Sequence, residues 1–341
     1  MGTLRLMAML PALQRERDLT RWTQAAQALP YLELGYVPQG LTWGPQAAAA
    51  LLAYYMPGGA QRGCPSILVA INLDSGETSP PLPLHEPDGT PYYGHAGGLC
   101  VQAGFLWVSA GNARGPSGRC LRFPFPSPSD WHAKRLLADA AFRPDSRASF
   151  LGEDEGSLWM GEFWREGAAA EKYPTANHHR CGAARGWAAR YPMLVLATPA
   201  VPAPSLTGDR QVPPPTEVLW LPPECQGMAF HDGKVLLSLS FGSKDSQLQV
   251  HDPSRAPWQR TLLPDSQTVR GRLLDASTCV ASVPLPAGTQ DIGVRNNLLL
   301  VSSESCALPY RERWNRAGAW LDSNVRALDL SSIFGWPTST C

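Results

Sequence analysis

The 341 residues carry 29 Lys plus Arg against 29 Asp plus Glu, a formal net charge of zero that argues against the broad basic face expected for nucleic acid. With 44% hydrophobic and 17% charged residues the chain can bury a sizeable core and is not disordered. Its 33 Pro and 31 Gly are spread along the whole length, which fits many short strands joined by tight turns.

Arg5 precedes a short apolar stretch, Leu6 to Leu13, that Pro11 interrupts. It makes a poor secretory signal, and nothing in the chain approaches the ~20 apolar residues of a membrane span. An extracytoplasmic location would therefore require a leader preceding this sequence. Residues 14–29 read as one amphipathic helix ended by Pro30, so 1–30 are expected to form a helical lead-in to a single domain over 31–341.

From residue 36 onward a module recurs: a short apolar strand, a tight polar turn, then a strand rich in Leu, Trp, Val and Ser. The copies are QGLTW (39–43) with ALLAYY (50–55), GGLCV (97–101) with FLWVSAGN (105–112), and ASFL (148–151) with SLWMGEF (157–163). QGMAF (226–230) with KVLLSLS (234–240), and DIGV (291–294) with LLLVSSES (298–305), complete the series. Third strands are expected at 66–74, 121–125, 247–252 and 324–330, and fourth strands at 82–84, 134–137, 217–221 and 279–285. Four antiparallel strands repeated radially is the plan of a β-propeller. The expectation is an all-β propeller of five blades, near 36–90, 94–140, 146–221, 224–285 and 290–335. The fifth copy lacks an outer strand, and Tyr31–Leu34 is expected to supply it and close the ring. A sixth, degenerate blade in 164–215 or 253–275, a β-sandwich, or a second domain are the alternatives.

In a propeller the start of the first strand and the end of the second meet at one face. That rule gathers Gln39, His95, Gln226 and Asp291 from strand-one starts, and Tyr55, Asn112, Glu162 and Glu304 from strand-two ends. The acidic triplet 153–155 and His231-Asp232 fall in turns at the opposite face and read as solvated. Carboxylates and amides converging on a channel mouth suit a small ligand, or a hard cation such as calcium held by Glu162, Asp291 and Glu304. His95 would serve as general base. Two loops should overhang this face: 164–186, with Asn177-His178-His179-Arg180-Cys181, and 306–322, where Arg311 and Trp314 could grip an anionic or sugar-like ligand. Equally, Gln39, Gln226 and Asp291 could serve only to satisfy backbone groups near the channel.

Eight cysteines show no CxxC or Cys/His ligand spacing, so a structural zinc site is not expected, and Cys100, Cys120 and Cys279 read as buried strand thiols. There is no GxSxG elbow, P-loop, HExxH or well-formed dinucleotide fingerprint.

The segments YVPQGLTW, GHAGGLCV, LWMGEF, QGMAFHDGKVLLSLSFG and VSSES, over about 36–310, resemble a group of bacterial, often secreted, propeller-like proteins without a settled activity. More distantly the design is similar to the calcium-dependent lactonase and gluconolactonase propellers. That resemblance implies a central metal held by Glu, Asn and Asp, for which Glu304, Asn112, Glu162 and Asp291 are the counterparts by position. Five blades instead of six, with Gln39, His95 and Gln226 in place of expected ligands, depart from that pattern. The sequence therefore leads to a monomeric propeller binding a small molecule, sugar or protein partner at the channel mouth. A metal-assisted hydrolase or lactonase using the same face is the alternative.

Overall fold

The computed structural model describes residues 14–335, except 47, 111–117, 128, 145, 155, 167–180, 182–183, 194–209, 213 and 263–267. Residues 14–22 are helical. The strands then run in chain order. They are β1 (Thr23–Ala28), β2 (Val37–Trp43), β3 (Ala49–Tyr55), β4 (Ile67–Asn72), β5 (Leu82–His85), β6 (Leu99–Gln102), β7 (Phe105–Ser109) and β8 (Cys120–Pro124). Next come β9 (Leu136–Leu137), β10 (Ala140–Arg143), β11 (Phe150–Asp154), β12 (Ser157–Gly161), β13 (Gly186–Pro192), β14 (Arg210–Gln211), β15 (Glu217–Leu221) and β16 (Cys225–His231). Last are β17 (Lys234–Leu239), β18 (Ser246–His251), β19 (Gln259–Leu262), β20 (Thr268–Leu273), β21 (Cys279–Leu285), β22 (Thr289–Arg295), β23 (Leu298–Ser303) and β24 (Asn324–Asp329).

These strands make five sheets, each starting from an inner strand: β2, β6, β11, β16 or β22. The fold is an all-β, five-bladed propeller. Five apolar clusters fill the five seams between adjacent blades, for example Leu51, Leu68 and Leu84 of blade one against Leu106, Leu121 and Phe123 of blade two. Because a neighbour covers each face, a middle strand such as β3 is buried at all seven positions. That is why its sequence runs AALLAYY instead of alternating, as for any strand covered on both faces.

The inner strands crowd the axis, and one glycine in or just before each makes the approach feasible. A Cβ on Gly98 would stand 2.4 Å from Leu151 N, one on Gly227 2.8 Å from Asp291 Cα, and one on Gly40 3.0 Å from Gly98 C. Gly152 meets Met228 O at 3.0 Å and Gly293 meets Thr42 Cα at 3.3 Å, so each blade presses the next around the ring.

Several expectations are corrected. The N-terminal helix stops at residue 22, and 23–28 is no lead-in but β1, paired antiparallel with β24 (Ala26 opposite Arg326) as the outer strand of blade five. The ring is thus closed by N-terminal chain, as anticipated, but not by Tyr31–Leu34, where Leu32–Leu34 is a short 3-10 helix. The 134–137 segment does not complete blade two. Leu136–Leu137 pairs in parallel with β5 of blade one, and β10 takes the place beside β8. Nor is there a sixth blade over 253–275. β19 and β20 form a hairpin added to the outer edge of blade three, through β15. β14 likewise joins β10 of blade two, so blades one to three each carry outer strands drawn from later chain. Among the described residues no helix is long and apolar enough to cross a membrane.

Candidate functional site at the channel mouth

Inner strands are sheet edges, so their free N–H groups face the channel and need acceptors. Asp291, fully buried, supplies one: its Oδ2 accepts from the backbone N–H of Leu41 at 3.0 Å and of Leu99 at 2.9 Å, tying blade five to blades one and two. Its Oδ1 has no hydrogen-bond partner among the described residues. Desolvation pushes the Asp291 carboxyl well above the usual range, and the backbone N–H groups only partly oppose this.

Irregular register accompanies this placement. The ladders skip between Pro38 and Leu41 in β2, between Cys225 and Gly227 in β16, and between Thr289 and Ile292 in β22. The residues in these breaks are Gln39-Gly40, Gln226 and Gln290-Asp291. A bulge redirects a side chain out of the ordinary alternation, which is how Gln39 and Asp291 reach their partners on other blades from an apolar strand.

Five of the expected residues, Gln39, His95, Tyr55, Glu304 and Trp314, form one connected group. Gln39 Nε2 donates to Glu304 Oε2 at 2.9 Å, and its Oε1 lies 3.3 Å from His95 Nδ1. Since the amide oxygen can only accept, this contact assigns the proton to Nδ1 and leaves His95 Nε2 an acceptor with no partner among the described residues. The His95 ring stacks on Tyr55 with centroids 3.9 Å apart, and Tyr55 Oη is 2.8 Å from Tyr310 Oη. Tyr310 in turn stacks on Trp314 at 5.1 Å. Trp314 is buried and lies over Gly288, the residue that also backs the Glu304 side chain.

Burial raises the Glu304 pKa to about 8, against the pull of the Gln39 amide and the charge of Arg313, so the carboxyl is mostly protonated at pH 7. His95 is open to solvent on one side yet crowded by protein on the others, and desolvation lowers its pKa to about 4. Both groups are therefore neutral at neutral pH, by opposite responses to one cause.

The other expected residues stand apart from this group. Gln226 Nε2 donates to Ser240 O of its own blade at 3.4 Å. Glu162 is fully buried in blade three and its Oε1 accepts from the Arg147 backbone N–H at 3.1 Å. Arg311 turns away from the mouth to pair with Glu33 through both guanidinium nitrogens. Asn112 and 177–180 lie outside the described residues, whereas Cys181 donates to Gln259 Oε1 at 3.0 Å on the outer part of blade three. At the opposite face Glu153 is not a free turn residue. Its Oε2 accepts from the Cys100 thiol at 3.2 Å, and desolvation raises its pKa.

Tyr310 is the residue that reading strand ends missed. Helix Leu308–Arg316 presents Tyr310 and Trp314, four apart, on one face toward the mouth, and Arg311 on another. That i, i+4 aromatic pair was the available signal.

The three carboxylates expected to hold calcium are not gathered into one cluster among the described residues. Glu162 and Asp291 already accept from backbone N–H groups and Glu304 from an amide, and no group of three or more His, Cys, Asp or Glu among the described residues could hold a metal ion. Calcium needs six to eight converging oxygens.

No protein-family model matches the chain, and no curated protein matches it in sequence. Among solved structures it is similar to a GH43 enzyme from Xanthomonas citri complexed with xylose, at 10% identity over 92% of each chain, with a TM-score of 0.45. It is also similar to the RS223 β-xylosidase, at 8% identity over 89% of this chain and 93% of that one, TM-score 0.46. A third is a GH43 β-xylosidase/α-arabinofuranosidase from a compost microbial metagenome, in complex with xylotriose and in a calcium-free form. It aligns at 11% identity over 90% of this chain and 94% of that one, TM-score 0.42. At these identities and scores no residue role or activity is carried over to this chain.

Proposed function

We propose that the channel mouth binds an uncharged, hydroxyl-rich small molecule of the sugar class. The observation that carries this reading is the connected Glu304–Gln39–His95 group stacked on Tyr55. It offers a carboxyl donor and an imidazole acceptor, both held in place by the Gln39 amide, beside aromatic rings, all uncharged near pH 7. Aromatic faces take the apolar side of a sugar ring while fixed polar groups select its hydroxyls. A charged ligand gains no counter-ion from these groups.

Calorimetric titration with xylose, arabinose, glucose and their short oligomers tests it. Saturable binding to one of them, weakened at least tenfold in Gln39→Leu and Tyr55→Ala, is the expected result. No binding by any of them to folded protein overturns the reading.

A hydrolytic reading rests on the raised Glu304 pKa, because a carboxyl kept protonated at neutral pH is suited to act as a general acid. Turnover of a chromogenic glycoside, ester or lactone that disappears in Glu304→Gln would establish it. The calcium-dependent lactonase version further requires that calcium raise the melting temperature of EDTA-treated protein.

A further inference from the structure

A second cleft, of about 470 Å3, opens between blades three and four on the face opposite the channel mouth. Its floor is aromatic: Trp159 on β12 and Phe230 on β16 lie with ring centroids 5.4 Å apart. Its wall is built by direct cross-strand pairing, Trp159 opposite Arg190 and Leu219 opposite Arg272. Three hydrogen-bond donors here are buried without partners among the described residues: Trp159 Nε1, Arg190 Nε and Arg272 Nε. Trp159 itself is only 2% exposed.

The neighbouring carboxylates do not answer these donors. Even the terminal nitrogens of Arg190 stand 3.8 Å from Asp154 and 3.7 Å from Glu217, beyond hydrogen-bond length, as does that of Arg270 at 3.9 Å from Glu217. Arg272 is held by Pro253 O at 2.7 Å and lies over the Trp258 ring at 3.9 Å, which fixes its guanidinium at the rim. Orphaned buried donors of one kind, beside an aromatic floor, call for an acceptor carried on a flat apolar body. Asp154, Glu217 and Asp232 on the same rim repel a dianion about twice as strongly as a single carboxylate.

We propose that this cleft is a separate binding site for an aryl carboxylate, with the ring over Trp159 and Phe230 and the carboxylate between Arg190 and Arg272. The site is independent of the channel mouth.

Calorimetric titration with benzoate, phenylacetate and indole-3-acetate tests this, with benzamide and inorganic phosphate as comparison probes. Saturable binding of at least one acid is expected, with benzamide at least tenfold weaker and phosphate not binding. Arg272→Gln and Arg190→Gln should each weaken the acid tenfold or more, while Glu304→Gln leaves it unchanged. Circular dichroism confirms folding, and either arginine variant suffices if the other fails to fold. The proposal is overturned if no acid binds, if benzamide or phosphate matches the acid, or if binding survives in a folded arginine variant. Loss of binding in Glu304→Gln would place the acid at the channel mouth and equally overturn it.

Discussion

The side-chain amide of Gln39 donates to the carboxyl of Glu304 across 2.9 Å, joining residues 265 positions apart. One sits in a break of the first inner strand and the other just past the second strand of the last blade. The bond therefore exists only when the ring is closed, so closure and assembly of the channel-mouth group are one event.

Glu304 makes that event pH-dependent. Its folded pKa of about 8 lies above an ordinary carboxyl, so between roughly pH 4.5 and 8 the folded state holds a proton that the unfolded state has released. This contribution to stability is full at low pH and is lost as pH rises through about 8. Glu304→Gln keeps the acceptor for Gln39 without an ionisable group. Its melting temperature relative to the native protein should be more favourable at pH 8.5 than at pH 5. Parallel profiles for the two proteins would show that Glu304 titrates normally.

His95 and His251 act with the opposite sign. Desolvation lowers both to about 4, so the unfolded state binds more protons between about pH 4 and 6.5 and acid destabilises the fold. His251 is held between Thr278 Oγ1 at 2.9 Å and Gln249 Oε1 at 3.1 Å. In His251→Asn the loss of stability on going from pH 6.5 to 4.5 should be smaller than in the native protein, as read by urea unfolding at both pH values.

The glycine ring sets a steric order. Gly98→Ala drives a methyl against the Leu151 amide, whereas Gly293→Ala meets Thr42 Cα at 3.3 Å and needs only a small shift. Overpacking of this kind costs about 1–3 kcal/mol. Gly98→Ala should lie at or above the top of that range and Gly293→Ala near its bottom, measured by chemical denaturation.

Arg122 is 1% exposed, paired with Asp139 through two bonds of 2.9 Å and set over the Phe105 ring at 4.4 Å. Removing the carboxylate leaves a buried charge unanswered. Asp139→Ala should therefore cost about 3 kcal/mol, toward the low end for such pairs because Asp139 is itself a third exposed. Restoring much of that stability with Arg122→Met in the same chain would confirm that the orphaned charge is the cause.

Proline at position 27 probes closure. Gln27 pairs with Val325 in the seam-closing ladder, two residues from the Leu29 N–H that donates to Ser323 O, so a proline there removes a ladder donor and clashes with strand geometry. Gln27→Pro should cost about 3 kcal/mol or more, with earlier hydrogen exchange in β24 than in β17. Equal exchange in both would show that the ring holds without β1.

The paired strands and their short turns were legible because their partners are sequence neighbours and both faces are apolar. β1 was not. TQAAQA alternates half-buried and exposed positions, and its Ala and Gln are good helix formers, so the local preference points to helix. Its partner lies some 300 residues away, and only the open edge of blade five overrides that preference. Glu304, Gln39, His95 and Tyr55 could be placed on one rim by strand order. That Gln226 and Arg311 bond elsewhere depended on a break in strand register and on the direction a helix faces, and Glu162 is taken up by the Arg147 backbone N–H. By itself the sequence determined the repeating blade, because apolar runs and tight turns are local. Only the tertiary structure decided which polar side chains meet, because at the axis each must satisfy whatever backbone group or side chain the neighbouring blade presents.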